Sequence, residues 1–351
     1  MSGEIGTDET TGRVAYLLGP ERLEWRREPI PEPEDGEVIV RVGAGATCGT
    51  DLKVYRQGGH ARMLRAPCPF GHEVAGTVRA TGRGVSAWRA GDRVAVANSA
   101  PCGACDRCAT RRENLCRDLR YLNGAFADYL RLPARFVERS LHAIPAHLPF
   151  PVAALAEPLA CVLHGLELCG PRPRSHALVL GAGPIGLLWT AVLAEDGHRV
   201  TLADPHAARL EVGRALGATV AVPVERGDSR EALRRAGGTD GFDLAVDCTA
   251  SPEGVASCAA ALAPSGLLCA FAGPPPDAEV TLDLRALHYG EQQVRGAYHY
   301  RPLEYATALE RLARAPWHPE LLLSATRPLD DLSWALAEMA ARRALKVALV
   351  P

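Results

Sequence analysis

Lysine is nearly absent from this chain: Lys53 and Lys346 are the only two among 39 basic residues. The 41 acidic residues leave a formal charge of −2. The chain therefore has no excess of basic residues of the kind that would indicate binding to nucleic acid or to an anionic membrane surface. No run of eighteen apolar residues is present, which argues against a membrane span. The start, MSGEIGTDETTGR, lacks the positive and apolar regions of a signal peptide, and we therefore expect a cytoplasmic protein.

Two sequence patterns divide the chain. From about Val14 to Ala97, short apolar runs of period two alternate with Gly, Pro and Asp, which is typical of antiparallel β-structure and predicts a partly open barrel. From about Ser175, short apolar strands alternate with helical stretches, as in a doubly wound parallel sheet. A chain of 351 residues is too long for one typical core, so we predict a first domain over residues 1–157, to which residues 299–351 return, and a second over residues 158–298.

The stretch ALVLGAGPIGLLWTAVLAEDGHRVTLAD contains a G-x-G-x-x-G turn after a predicted strand and at the start of a predicted helix. Its glycines permit a tight turn, close approach of the backbone to a pyrophosphate, and close packing of helix on strand. An acidic residue ends the next strand, where it can bind an adenosine ribose and would repel a 2′-phosphate. We predict a dinucleotide site that prefers NAD over NADP; a glycine-rich turn without a ligand is the alternative. The candidate residues are Gly181, Gly183, Pro184, Ile185, Gly186, Asp204 and Arg209.

Eleven cysteines without an export signal favour metal binding over a disulfide framework. Four of them follow the pattern Cys-x2-Cys-x2-Cys-x7-Cys: Cys102, Cys105, Cys108 and Cys116. Four thiolates this close can complete a tetrahedral shell around zinc with no open position, which predicts a structural site. An iron–sulfur cluster also uses four cysteines, but the surrounding pattern does not indicate electron transfer. The scattered cysteines are interpreted as small buried hydrophobic residues: Cys161, Cys169, Cys248, Cys258 and Cys269.

The stretch VAALAEPLACVLHG sets Glu157 among core-type residues, directly before Pro158. Proline is tolerated in the first turn of a helix, so Glu157 is predicted to lie at a helix entrance. A buried carboxylate needs a partner, which must come from elsewhere in the chain.

A known family shares several of these features. The stretches ATCGTDLKVYRQGGH and PFGHEVAGTVRATGRGV supply Cys48, His72 and Glu73. The GHE-x2-G-x5-G-x2-V pattern closely resembles the signature of zinc-dependent medium-chain dehydrogenases. The CGTD segment, the four-cysteine loop and the glycine turn follow in that family's order, and the resemblance covers the chain from about Val14 to Pro351.

The resemblance implies an α/β protein with a GroES-like β-barrel catalytic domain and a Rossmann domain, and with NAD, one catalytic zinc and one structural zinc. Cys48 and His72 would be catalytic zinc ligands, and Glu73 would be a ligand or a group that exchanges with substrate. Glu157 falls where the family has its third ligand or a carboxylate that holds water. Ethanol dehydrogenases have cysteine there, whereas sorbitol, threonine and glucose dehydrogenases have glutamate.

An open zinc beside a nicotinamide predicts alcohol oxidation. The metal lowers the pKa of a substrate hydroxyl, and hydride then leaves the carbinol carbon for the nicotinamide. Thr50 can accept the alcohol's proton, and Asp51 is expected to orient His72. Many relatives have histidine at the position of Lys53, and lysine's ordinary pKa is too high for a proton relay at neutral pH. Lys53 is interpreted as a relay member, a cofactor or substrate contact, or a surface residue.

The glutamate-type site favours a polyol, sugar or cyclitol as substrate, with an amino alcohol such as threonine, or an aminocyclitol, as the alternative. In HYGEQQVRGAYHYR, Tyr298, His299 and Arg301 resemble hydroxyl-binding groups of polyol dehydrogenases, although a packing role is equally compatible with them. A non-catalytic protein with this fold would be expected to lose the metal ligands, and zinc-free reductases lack both sets. The partners expected are a small alcohol or ketone and further copies of the chain, as a dimer or tetramer, with no nucleic acid and no membrane.

Overall fold

The structure is a computed structural model that describes residues 10–60, 62–227 and 229–351. Most of the polar N-terminal stretch lies outside these ranges. The prediction that it is not a signal peptide therefore concerns residues that the structure does not describe.

Helices and strands follow in chain order within the described residues. The strands are β1 (Thr11–Gly19), β2 (Arg22–Pro29), β3 (Val38–Ala46), β4 (Gly59–His60), β5 (Leu64–Arg65), β6 (Cys68–Pro69), β7 (Glu73–Thr81), β8 (Arg93–Val96), β9 (Ser99–Ala100), β10 (Arg120–Tyr121), β11 (Tyr129–Leu132), β12 (Leu141–Ala143), β13 (His176–Leu180), β14 (Arg199–Asp204), β15 (Val220–Pro223), β16 (Phe242–Asp247), β17 (Leu262–Ala270), β18 (Gln293–Gly296), β19 (Leu323–Pro328) and β20 (Lys346–Val350). The α-helices are α1 (Gly49–Gln57), α2 (Asp106–Ala109), α3 (Ala134–Arg139), α4 (Phe150–Ala153), α5 (Ala156–Cys169), α6 (Pro184–Glu195), α7 (Ala207–Ala215), α8 (Arg230–Gly237), α9 (Pro252–Ala260), α10 (Leu284–Tyr289), α11 (Pro302–Arg314) and α12 (Leu332–Ala340).

The chain divides into two compact units. Unit 1 contains the described residues up to Glu157 with Arg301–Ala313 and Leu323–Pro351, and unit 2 contains Pro158–Tyr300 and Arg314–Leu322. The predicted return ran without interruption from residue 299, whereas residues 314–322 lie in unit 2. Trp317 gives the reason, because its buried indole donates from Nε1 to Glu195 Oε2 at 3.0 Å.

Unit 1 is mainly antiparallel β-structure. Its main sheet has the order β12-β8-β7-β3-β20-β19, and β11 also pairs with β3. Alternate residues of β3, among them Val38, Val40 and Val42, enter a valine-rich core. The C-terminal strand β20 pairs with the end of β3, with Ala348 opposite Ala46, so the last residues of the chain lie beside the segment that leads into α1.

Unit 2 is a six-stranded parallel sheet in the order β15-β14-β13-β16-β17-β18. Its central strands are buried on both faces, as a parallel sheet covered by helices requires, which explains their continuous apolar sequences. The strand order reverses beside β13, the position at which doubly wound sheets bind ligands, and the glycine turn follows this strand. The predicted α/β fold class is confirmed.

One helical stretch, Phe150–Cys169, has the length and apolar composition of a membrane-spanning segment, although Glu157, His164 and Glu167 interrupt its apolar sequence. Within the protein, 78% of it is buried. The core helix of a globular protein meets the same criteria, so this stretch is weak evidence for a membrane span.

Candidate active site

A hydrogen-bonded cap at the start of α1 orients two of the predicted functional groups. Cys48 is the N-cap residue, and its Sγ accepts the Thr50 backbone N–H at 3.4 Å. Asp51 completes the cap, since its Oδ2 accepts the Cys48 N–H at 2.9 Å. Its Oδ1 accepts the Nδ1–H of His72 at 2.8 Å. One buried carboxylate therefore orients both a thiol and an imidazole.

His72 and Glu73 lie where the chain enters β7. Gly71 precedes them with φ +88°, and a Cβ there would lie 2.6 Å from the Phe126 ring, so this position requires glycine. Both functional side chains are buried. Burial opposes the charged imidazole, but the charge and hydrogen bond of Asp51 outweigh it and raise the pKa of His72 well above its usual value.

The ligand atoms of Cys48, His72 and Glu73 lie within 4.8 Å of one another and form what we call the metal cluster. Thiolate, imidazole and carboxylate are all zinc donors, and three of them leave a coordination position open. Glu73 Oε2 is buried and has no hydrogen-bond partner among the described residues. Leaving it unpaired is costly, and a cation held by these residues would satisfy it. The donor set therefore fits the zinc that the resemblance implies.

Lys346 is a buried residue of this site to which sequence reasoning assigned no role. Its Nζ donates to Glu73 Oε1 at 2.7 Å, with the two side chains 1% and 0% exposed. Burial disfavours the charged lysine, but the negative charges of Glu73, Cys48 and Asp51 outweigh this and raise the pKa of Lys346. The signal available in the sequence was scarcity, because lysine is kept at this position in a chain that otherwise uses arginine.

Glu157 lies in the first turn of α5 and is 6% exposed. Burial raises its pKa to about 7. The positive charge of His72 opposes this rise, and the negative charge of Glu73 adds to it. Glu157 lies outside the metal cluster, although it is close enough for the charges of His72 and Glu73 to act on its carboxyl group. Sequence reasoning also missed Tyr305 on α11, a buried phenol whose pKa is raised by burial and then by the charges of Glu157 and Glu73.

The two predicted relay residues differ in surroundings. Thr50 is partly buried, and its backbone is bonded to the sulfur of Cys48. Lys53 is exposed further along α1. Of the two, only Thr50 is hydrogen-bonded to a predicted metal ligand, Cys48.

The four-cysteine loop brings its sulfurs together. The Sγ–Sγ distances are 3.9 Å for Cys102 and Cys108, 3.6 Å for Cys105 and Cys108, and 3.8 Å for Cys105 and Cys116. A zinc–sulfur bond of about 2.3 Å gives a tetrahedron with sulfur–sulfur edges of about 3.8 Å. Backbone N–H groups of Arg117 and Cys108 are the main cause that lowers the pKa of Cys105 to about 6. The loop therefore fits a closed, structural zinc site.

The glycine turn of unit 2 leaves room for a ligand at one position. Gly181 has φ +102°, and a Cβ on Gly186 would lie 1.8 Å from the Gly181 carbonyl oxygen, so these two glycines serve the turn and its packing. Gly183 is the N-cap of α6, and a Cβ at this position would have no described atom within 4 Å. Pro184 and Ile185 then open α6, whose N-terminal end attracts anions. The turn fits a pyrophosphate.

Asp204 ends β14 and fixes this turn. Its Oδ2 accepts the Ala182 N–H at 2.7 Å, and its Oδ1 accepts both the backbone N–H and the Nδ1–H of His206 at 2.8 Å. Arg209 lies partly buried on α7. Sequence reasoning missed His206, which lies two residues after the acidic position and holds its carboxylate.

The three predicted substrate residues fall in different units. Tyr298 and His299 belong to unit 2, where the His299 ring centroid lies 4.1 Å from that of Tyr300. Arg301 belongs to unit 1 and donates from Nε to Glu304 Oε1 at 2.6 Å and from Nη1 to the Arg111 carbonyl at 3.3 Å. These contacts favour a structural role for Arg301 over the predicted contact with substrate.

Removing the Lys346 charge is expected to destabilise the metal-free protein. Lys346→Met leaves Glu73 buried and unpaired, a change that costs about 3 kcal/mol. Added zinc should then recover more stability than in the wild type, because it neutralises the same carboxylate. Thermal unfolding with and without a chelator measures both effects. Lys53→Met, the same substitution at the exposed lysine, is the matched control, and equal melting temperatures for the two variants would contradict the assignment.

Two family models match the chain: an alcohol dehydrogenase GroES-like domain over residues 34–145 and a zinc-binding dehydrogenase over residues 184–314. The chain is 31% identical over 308 residues to the sorbitol dehydrogenase of Bacillus subtilis, covering 86% of each chain. It is 33% identical over 328 residues to the L-threonine 3-dehydrogenase of Streptomyces coelicolor, covering 91% of this chain and 94% of that one. A solved zinc-binding dehydrogenase from Sinorhizobium meliloti, bound to NADP, superposes with a TM-score of 0.89 at 28% identity, covering 98% of this chain and 100% of that one. With its metal cluster, four-cysteine loop and glycine turn, the chain belongs to the zinc-dependent medium-chain dehydrogenases, which are oxidoreductases of the alcohol dehydrogenase type.

Proposed function

We propose that this protein is an NAD-dependent zinc enzyme that interconverts a secondary alcohol and its ketone, the alcohol being a polyol, sugar or cyclitol. The observation that carries the proposal is the buried metal cluster of Cys48, His72 and Glu73, with the Glu157 carboxylate close enough to feel the charges of two of its members. Three donors and an open position are typical of a catalytic zinc site.

The residues of the site have separate tasks in this proposal. The metal cluster would hold a zinc ion that supplies a Lewis acid for an alcohol hydroxyl, and the glycine turn would hold NAD, which supplies the hydride acceptor. Thr50 would accept the hydroxyl proton at its Oγ1 and pass its own hydroxyl proton on toward solvent, so that its side chain stays neutral. Asp51 holds Nδ1 of His72, which leaves Nε2 free to act as a ligand. The buried carboxylate of Glu157 orients the hydroxyl of the substrate alcohol at the open position of the metal cluster.

The substrate class rests on Glu157 and on the relatives. A glutamate in place of cysteine matches the polyol-type site implied by the resemblance, and a sorbitol dehydrogenase is among the relatives. An amino alcohol is the second candidate, favoured by the 33% identity to an L-threonine 3-dehydrogenase.

A screen of NAD reduction across polyols, cyclitols and amino alcohols tests the function, together with zinc analysis of the purified protein. We expect turnover of at least one polyhydroxylated secondary alcohol and two zinc ions per subunit, because the chain carries an open and a closed donor set. Cys105→Ser should lose the closed site and lower stability while the open site keeps its metal. A zinc content well below two per wild-type subunit, or no turnover in any class, would contradict the proposal.

We infer a preference for NAD over NADP from Asp204, although the similar structure from Sinorhizobium meliloti holds NADP. The Asp204 carboxylate is buried beside the turn that fits the pyrophosphate, where it would repel a 2′-phosphate.

Asp204→Ala is expected to lower the ratio of NADH to NADPH affinity by about tenfold, which corresponds to about 1.4 kcal/mol. Fluorescence titration with each reduced cofactor measures this ratio without turnover. Asp240→Ala, which removes an exposed carboxylate of the same unit, is the control. An unchanged ratio in the Asp204 variant would remove this residue from cofactor selection.

A homo-oligomer is supported by one edge of unit 2. Strand β18 ends the parallel sheet, and all four of its residues are exposed. Among the described residues, five of the nine exposed large hydrophobic side chains lie in the same short segment: Val280, Leu284, Tyr289, Val294 and Tyr298. An exposed edge strand flanked by apolar side chains is a template for pairing, and the same strand of a second copy can pair with it about a two-fold axis. We infer a dimer through β18.

Leu284→Glu combined with Val294→Glu should convert this dimer to monomers, since two carboxylates per subunit would have to be buried without partners. Sedimentation velocity gives the mass directly. Leu303→Glu introduces the same charge at an exposed leucine of unit 1 and should keep the wild-type mass. If the double variant also keeps that mass, the interface lies elsewhere.

The cysteines support a reducing compartment. All eleven are free of disulfide bonds, and both donor sets need reduced thiols. We therefore propose that the protein works in the cytoplasm.

A further inference from the structure

The segment between the first two metal ligands has a one-sided charge. From Leu52 to His72 the chain contains no aspartate or glutamate, although it carries four permanent cations: Lys53, Arg56, Arg62 and Arg65. The whole chain has slightly more acidic than basic residues, so this positive stretch differs from the average surface. It includes His60 and Arg62, to which the proposed dehydrogenase function assigns no role.

Local structure turns this segment into a fixed hairpin. Helix α1 ends at Gly58 with φ +74°, and the chain then forms the hairpin of β4 and β5. His60 Nδ1 accepts the backbone N–H groups of Arg62 at 3.2 Å and Met63 at 3.1 Å. A ring nitrogen that accepts hydrogen bonds carries no proton, so the His60 proton lies on Nε2 and is available as a donor.

Hydrogen bonds tie the hairpin to the backbone that carries His72. Asn123 Nδ2 donates to the Met63 carbonyl at 3.2 Å, and Asn98 Nδ2 contacts Met63 Sδ at 3.7 Å. The residue after Asn123, Gly124, donates its N–H to the carbonyl of Gly71 at 2.8 Å, and Gly71 directly precedes His72. The hairpin is therefore held beside the metal cluster.

The electrostatics agree with this geometry. Burial is the main cause that lowers the pKa of His60, and the positive charges of Lys53, His72 and Arg62 lower it further, so each of these three groups lies close enough for its charge to act on His60. Lys53 is exposed and forms no ion pair with any described residue. Surface arginines elsewhere commonly do pair, for example Arg117 with Asp106 and Arg343 with Glu338. An anion entering from solvent would find Lys53 uncompensated.

We propose that Lys53, His60 and Arg62 form a cationic collar beside the metal cluster, and that the collar selects a polyhydroxylated substrate bearing an anionic group, a carboxylate or a phosphate, over the neutral polyol. The proposal rests on the proposed function and narrows its substrate class. Two long cations and one imidazole N–H suit an anion attached to a flexible carbon chain, because they can bind its oxygens while a hydroxyl further along the chain reaches the metal cluster.

The test compares three substrates with one carbon skeleton: sorbitol, gluconate and sorbitol 6-phosphate. In the wild-type holoenzyme, kcat/KM for at least one anion should exceed that for sorbitol by about tenfold at low salt, and this advantage should shrink as ionic strength rises from about 0.02 M to about 0.3 M. The two anions distinguish carboxylate from phosphate as the recognised group. Calorimetric titration of the same three compounds into the NADH-loaded enzyme repeats the comparison without turnover.

Collar variants separate recognition from chemistry. Lys53→Met should lower the anion-to-sorbitol ratio of kcat/KM by about tenfold through KM, Lys53→Glu should invert the preference, and Lys53→Arg should restore it. Arg89→Met removes a 90% exposed arginine of the same unit and should leave the ratio and its salt dependence unchanged. Melting temperatures check that each variant is folded.

Equal binding of sorbitol and both anions, or a ratio that Lys53→Glu does not change, would overturn the collar. Turnover of sorbitol without any preference for anions would overturn the collar while leaving the proposed function in place. If no compound is turned over, the proposed function fails, and the titrations still decide whether the collar binds anions.

Discussion

The buried ion pair between Lys346 and Glu73 is the contact on which the site in unit 1 depends. Five acidic, thiol or imidazole side chains with little exposure form the metal cluster and its surroundings: Cys48, Asp51, His72, Glu73 and Glu157. An apolar interior penalises every charge left unpaired, and the buried carboxylates among them therefore need a counter-charge. Lys346 is the permanent cation among them, and 273 residues separate it from Glu73 in the chain. The fold must therefore bring the last strand back to the first domain.

Backbone pairing makes that return precise. Val347 donates its N–H to Thr47 Oγ1 at 2.8 Å, and Thr47 donates its own N–H to the Val347 carbonyl at 3.0 Å. Thr47 immediately precedes Cys48, so the contact that seats Lys346 also fixes the start of the cap on α1. A single strand thus positions the counter-charge and supports the thiol ligand. Glu73 has Oε1 bonded to Lys346, and its Oε2 is buried without a hydrogen-bond partner among the described residues. A carboxylate divided in this way can bind a cation with one oxygen and remain anchored by the other.

The two metal-binding sets differ in how the chain builds them. The four cysteines of the closed set lie within fifteen positions, and backbone N–H groups of the same loop bond to their sulfurs. The open set comes from an N-cap and the start of a strand that lie far apart in sequence and are joined by one carboxylate, Asp51. A local loop can enclose a metal completely, which suits stability. A set assembled from separate elements leaves one side open, and a substrate needs that opening.

Motif spacing, residue chemistry and the family resemblance were sufficient to predict the fold class and the family. The same motifs named the residues that the structure brings together in the metal cluster, the four-cysteine loop and the glycine turn, whereas Glu157, also named as a ligand, lies outside the metal cluster. These features depend on contacts within a short segment or on a pattern that a family shares. The role of Lys346, the burial of Tyr305 beside the carboxylates, the engagement of Arg301 with Glu304 and the transfer of residues 314–322 to unit 2 were not predicted. Except for the Arg301–Glu304 pair, whose residues are three positions apart, each of them depends on which distant side chain meets a given charge or apolar surface. Only tertiary structure decides that, since burial makes the pairing of charges obligatory while the sequence alone does not reveal which partners are brought within reach.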